Sequence, residues 1–148
     1  MKFIKSSEKK RLLKELEEIY GITELPYLLI ERGKKRLRAF SGNLSKEEIL
    51  QLTRLIRIEN IGIYLISRKD EDIRLSFDAV SLLRNRITKN IIEINDEQAN
   101  NWLHGQDIEK KVQRGIIILK NDEDLLGFGK SNGEKIFNYI PKERKLKN

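Results

Sequence analysis

The sequence predicts an α+β protein, with a small N-terminal α/β domain over residues 1–84 and a C-terminal β-barrel with a flanking helix over residues 85–148. Three observations predict it. The apolar residues recur at helical spacing near the start and fall into short strand-like runs near the end. Two reciprocal capping patterns, Ser45 with Glu48 and Asn95 with Gln98, mark helix starts in each half. Between them "RNRITKN", residues 84–90, is polar, basic and without clear period, as expected of a boundary.

The elements follow in order. "SSEKKRLLKELEEIYG" reads as a first helix with Leu12, Leu13, Leu16, Ile19 and Tyr20 on one face, Ser7 as its cap and Gly21 at its end. Residues 27–31 and 36–40 read as a hairpin around Gly33. The second helix starts at the Ser45–Glu48 box, with Leu44 and Ile49 as its hydrophobic staple and a buried stripe of Ile49, Leu52, Leu55 and Ile56. "IGIYLISR" is a strand, a further strand lies around residues 73–75, and a brief helix covers residues 77–83. In the second half residues 91–94 suit a strand, and Asn95 opens a helix that Gly105 ends, with Ala99, Trp102 and Leu103 facing the core. "GIIIL", "LLGFGK" and "EKIFNYI" are three more strands, the last two joined at Ser131-Asn132-Gly133, where Asn-Gly favours a tight turn. A strand, a helix and a meander suit a small barrel with one helix on its side.

Composition narrows the function classes. Charged residues are 36% of the 148, and the net charge is +7, which favours a polyanionic partner, nucleic acid before membrane. There is no cysteine and one histidine, His104, which argues against disulfides, thiolate or histidine metal sites and cysteine nucleophiles. No apolar run approaches the roughly 18 residues of a membrane span, and "MKFIKSSEKK" lacks the apolar stretch of a signal peptide. The expectation is a cytoplasmic protein without membrane partner, metal or cofactor.

"LHGQDIEKKVQRGIIIL" followed by "LLGFGKSNGEKIFNYIPKERKL" resembles the PUA domain, an RNA-binding fold named for pseudouridine synthases and archaeosine transglycosylases. The features that carry the resemblance are Leu103-x-Gly105, the strand opened by Gly115, Leu126-Gly127-x-Gly129-Lys130 and Asn138-x-x-Pro141-Lys142-x-Arg144. The pattern is most similar to the PUA-like domain at the C-terminus of the NOL/NOP/Sun-type RNA cytosine-C5 methyltransferases. The layout, a small α/β domain before the PUA part, resembles the Nip-type ribosome-biogenesis factors. The resemblance implies binding to structured RNA, rRNA or tRNA, as a targeting module. The methyltransferases carry their catalytic cysteines in a separate domain. This chain has neither cysteine nor room for that domain, so the resemblance transfers RNA binding without methylation.

The resemblance makes Lys130, Asn138, Lys142 and Arg144 candidate RNA contacts, with Gly105, Gln106 and Arg114 in the matching segment. Asn138 can read a base edge or ribose, or can pin the strand end to the Pro141 turn. Gly127 and Gly129 can cradle a phosphate only if a helix N-terminus follows, and a strand follows instead, which favours a close backbone approach or a bulge. Phe137 and Tyr139, two apart on a strand, share a face as barrel core or as stacking platforms for bases, core being the commoner use. "RGKKRLR", at the hairpin tip, adds Arg36 and Arg38 as a second RNA contact or a protein-docking patch. Residues from about Lys145 onward read as a loose tail. His104, in the last turn of a helix, has no catalytic context, and the acidic cluster Asp70, Glu71 and Asp72 has no metal-ligand spacing. Two functions are expected: a non-catalytic RNA-binding protein in rRNA or tRNA maturation, or an adaptor docking on an RNA methyltransferase or ribosome-assembly protein.

Overall fold

The computed structural model describes residues 1–33, 35–69 and 71–148; Lys34 of the basic run and Asp70 of the acidic cluster lie outside the described residues. The first half comprises β1 (Lys2–Phe3), α1 (Ser6–Tyr20), β2 (Leu28–Glu31), β3 (Arg36–Phe40), α2 (Lys46–Leu55), β4 (Ile63–Lys69), β5 (Asp72–Leu75) and α3 (Phe77–Leu82). Its strands form an antiparallel sheet in the order β1-β2-β3-β4-β5. The helical period of α1 places Leu12, Leu16 and Tyr20 in the core, and the buried Tyr20 hydroxyl donates to the Ile73 carbonyl at 2.6 Å. The Arg68 guanidinium forks the Glu15 carboxylate at 2.8 and 2.9 Å, which ties α1 to β4 and holds the Glu15 carboxyl below the usual glutamate range.

The second half comprises β6 (Ile91–Glu93), α4 (Asp96–Leu103), β7 (Ile108–Glu109), β8 (Gly115–Asn121), β9 (Asp124–Ser131), β10 (Lys135–Asn138) and a closing 3₁₀ turn (Lys142–Arg144). The sheet order is β6-β8-β9-β10-β7, with β6 parallel to β8 and the other pairs antiparallel. β6 and β7 are its free edges, so the sheet is an open half-barrel. Asn95 and Gln98 cap α4 reciprocally, and α4 seats Trp102 fully buried with Nε1 donating to the Leu126 carbonyl at 2.7 Å. The α+β class and the order of helices and major strands match the sequence reading.

The apolar run of β8 has a specific cause. With period two, Ile117 and Leu119 face the second-half core beside Trp102, while Ile116 and Ile118 enter the first-half core beside Leu75 and Leu83. A strand buried on both faces reads as a continuous hydrophobic run. The two cores therefore share β8.

Four expectations change. α1 begins at Ser6 with Lys5 in the capping position; the Glu8 carboxylate accepts the Lys5 N–H at 3.0 Å, so Ser7 lies inside the helix. Half of the stripe expected on α2 is in solvent: Ile49 is fully buried and Leu52 half-buried, but Leu55 is 80% exposed and Ile56 58% exposed, and the staple residue Leu44 is also exposed. Lys46 Nζ lies 5.6 Å from the Phe3 ring centroid, which seats α2 at the β1–β2 end of the sheet, where a two-residue strand offers little further surface to cover. β10 ends at Asn138, so Phe137 and Tyr139 do not share a strand face; Phe137 is exposed, with Lys135 Nζ 5.2 Å from its ring. The tail is fastened at least to Leu146, whose N–H donates to the Leu103 carbonyl at 2.8 Å.

Gly127 and Gly129 serve close packing. A Cβ at Gly129 would lie 2.4 Å from the Phe137 carbonyl oxygen and 2.6 Å from the Trp102 ring, and Gly127 has φ +79° with Phe77 against it. Gly129→Ala is therefore expected to lower stability by about 1–3 kcal/mol, measured by urea unfolding, because backbone and a buried ring must both move.

Candidate nucleic-acid interface

The sheet face opposite α1 is polar over β3, β4 and β5. Arg36 pairs with Ser67 and Ser67 with Arg74, so the three form a row across the strands. A bulge at Leu37/Arg38 brings Tyr64 onto the same face, paired with Arg38. The Arg36 guanidinium sits 5.7 Å from the Tyr64 ring centroid. Arg38 is fixed by donating to the Ile61 and Gly62 carbonyls at 3.0 and 2.5 Å, and Arg32 donates to the Ile58 carbonyl at 3.2 Å. Arg32, Arg36, Arg38, Asn60 and Tyr64 line a basic depression at this end.

Tyr64 also lines a groove of about 540 Å³ between the two halves. Its first-half wall is Tyr64, Ser67, Lys69, Arg74, Phe77 and Asp78; its second-half wall is Phe128, Tyr139, Pro141, Glu143 and Arg144. The Arg74 guanidinium stacks 4.7 Å from the Tyr139 ring, and Phe128 meets that ring edge-on at 5.6 Å. Arg144 ion-pairs with Asp78 and lies 5.7 Å from the Phe77 ring. Lys130 reaches Asp72 at 2.5 Å, and Arg74 approaches the same carboxylate at 3.7 Å.

The structure thus gathers Arg36, Arg38 and Arg144 around Tyr64 and places Lys130 beside Arg74, both on the Asp72 carboxylate. Lys130 and Arg144 both hold carboxylates of the first half. Lys142 is exposed on the 3₁₀ turn. Asn138 sits at the junction of α4 and β10. Its Nδ2 donates to the Trp102 and Gln106 carbonyls at 2.7 and 3.0 Å, and its Oδ1 accepts the Ile140 N–H at 2.9 Å. This is the pinning alternative raised for Asn138, and it uses Gln106 through its backbone. Gly105 lies under the Lys145 side chain, and Arg114 beside Gly133 at the β9–β10 turn. Tyr64, Lys69, Arg74 and Phe77 were not singled out from sequence. Arg74 was the most accessible of them, because it interrupts Ile73 and Leu75 at strand period on an edge strand. Among the described residues no cluster of His, Cys, Asp and Glu is arranged to hold a metal, and no helix is long and apolar enough to cross a membrane.

Residues 89–146 match the family model described as the methyltransferase RsmF PUA domain. A ribosomal RNA small subunit methyltransferase F of Shewanella oneidensis is 36% identical over 92 residues, covering 60% of this chain and 19% of that protein. The protein of the same name from Vibrio cholerae is 26% identical over 145 residues, 95% of this chain and 30% of its own length, so the similarity takes in the first half as well. That of Serratia proteamaculans is 31% identical over 98 residues, 65% of this chain and 20% of its own. The chain spans less than a third of the curated relatives it matches.

Proposed function

With residues 89–146 a PUA-like domain related to those of the Sun/RsmF methyltransferases, we propose that this protein binds structured RNA in the cytoplasm, in the setting of rRNA or tRNA modification. The observation that carries the reading is the row of arginines and aromatic rings running from Arg36 through Tyr64 and Arg74 to Arg144, across both halves. Cationic side chains bind phosphates by releasing counterions, and exposed rings stack unpaired bases. The domain division at residues 84/85 belongs to the same proposal: the second half carries the PUA part and the first half extends its RNA face.

The chemistry of methyl transfer is assigned elsewhere, to a catalytic unit with its own nucleophile. This chain has no cysteine. His104 holds its Nδ1 at 2.7 Å from the Asn100 carbonyl, spent on the helix end. The relatives' names supply rRNA as the first RNA to try.

Titration of labelled rRNA and tRNA fragments should give micromolar or tighter binding that weakens steeply between about 50 and 200 mM salt. Absence of binding to either RNA at low salt would refute the proposal.

The exposed side chains of α2, Leu50 and Leu55, with Leu44 before it and Ile56 after it, favour a second reading, an adaptor that docks a methyltransferase or ribosome-assembly protein. A stable protein complex that survives nuclease, and is lost in Leu55→Ser/Ile56→Ser, would support it.

A further inference from the structure

We propose that the groove between the two halves holds one unpaired nucleobase, with Tyr139 and Tyr64 as its stacking surfaces and Arg74 donating to its edge; the inference rests on the RNA-binding reading. Among the described residues, Arg74 Nε is the one buried side-chain nitrogen or oxygen without a hydrogen-bond partner. The guanidinium is nevertheless held in place, 4.7 Å from the Tyr139 ring and 3.7 Å from Asp72. A fixed, buried and unused donor is unfavourable until an acceptor meets it. Arg74 lines the groove, so a ligand seated there can bring an acceptor to it.

The walls select the ligand. Tyr64, Phe77, Phe128 and Tyr139 make the groove aromatic, and its volume of about 540 Å³ is that of a small-ligand site. Asp78 and Glu143 line it and Asp72 stands beside Arg74, so carboxylates oppose a phosphate there. A neutral base with a carbonyl oxygen or ring nitrogen on its edge satisfies Nε and stacks on tyrosine or guanidinium planes. The phosphates on either side of that base fall to the more exposed cations, Arg36 and Lys69.

The full chain is titrated with a labelled single-stranded RNA of mixed sequence and with an abasic ribose-phosphate strand of equal length. Wild type should bind the base-bearing strand about tenfold or more tightly than the abasic one. Tyr139→Leu and Arg74→Met should each remove most of that preference and leave the salt dependence unchanged. Tyr64→Leu, at a half-exposed ring, should do the same and stands in if either variant fails to fold. If wild type binds the base-bearing strand and folded variants bind it equally well, the base site is wrong and the RNA-binding reading stands. If wild type binds neither strand, the base site is wrong, and the titration with rRNA and tRNA fragments decides the RNA-binding reading separately.

Discussion

Ile118→Ala is expected to destabilise the whole molecule by about 2–5 kcal/mol and to shift one unfolding transition common to both halves. Ile118 is fully buried and belongs to β8, a strand of the second sheet, yet it packs in the first-half core with Leu75 and Leu83. Removing its branched side chain leaves a cavity that neither sheet can close without moving the other. Trp102 is the single tryptophan and lies in the second-half core, so its fluorescence reports that half. Far-ultraviolet circular dichroism is weighted toward α1, the longest helix of the first half. The two probes should give coincident urea midpoints in wild type and coincident, lower midpoints in Ile118→Ala. Midpoints that separate, with only one half responding, would show that the shared strand does not couple the halves.

The combined variant Arg36→Gln, Lys69→Gln and Lys142→Gln is expected to weaken RNA binding by roughly tenfold to a hundredfold at low salt. The slope of log affinity against log salt should fall by about 2 to 3. Their environments set these three apart from the other cations of the face. Arg38 supports two loop carbonyls, and Lys130 and Arg144 neutralise Asp72 and Asp78, so replacing any of them disturbs structure as well as charge. Among the described residues the Arg36 side chain makes no ion pair and lies over the Tyr64 ring, while Lys69 and Lys142 lie exposed. The thermal midpoint should therefore stay close to that of wild type, since isolated surface substitutions cost within about 0.5 kcal/mol. An unchanged salt slope would move the phosphate contacts to another face.

What the sequence made legible was local. Capping at Ser45 and Asn95, the left-handed stop at Gly21 and the hairpin between residues 27 and 40 depend on neighbours in the chain, and the structure has them as read. The PUA-like half was legible through Asn138 and Pro141 because that pattern fixes a junction: the Asn138 side chain closes α4, β10 and the Pro141 turn on one another. The strands of two residues, β1 and β7, carry no periodic signal, since two positions define no period. The exposure of Leu55 was not legible either, because a helical stripe records what a helix could bury and not what lies beneath it. The groove was hidden for a related reason. Its walls come from β4, β5, α3, β9 and the closing segment, up to 80 positions apart between Tyr64 and Arg144. Only packing of the halves through β8 brings them together.

The central claim is that RNA lies along the face joining Tyr64, Arg74 and Tyr139. Ultraviolet cross-linking of the purified protein–RNA complex, followed by mass spectrometric mapping of the modified peptides, tests it most directly. The account predicts adducts on the peptides containing Tyr64, Phe77 or Tyr139, lost when Tyr139→Leu is used. Adducts confined to α1, α2 or the exposed Phe137, with the groove peptides unmodified, would contradict it.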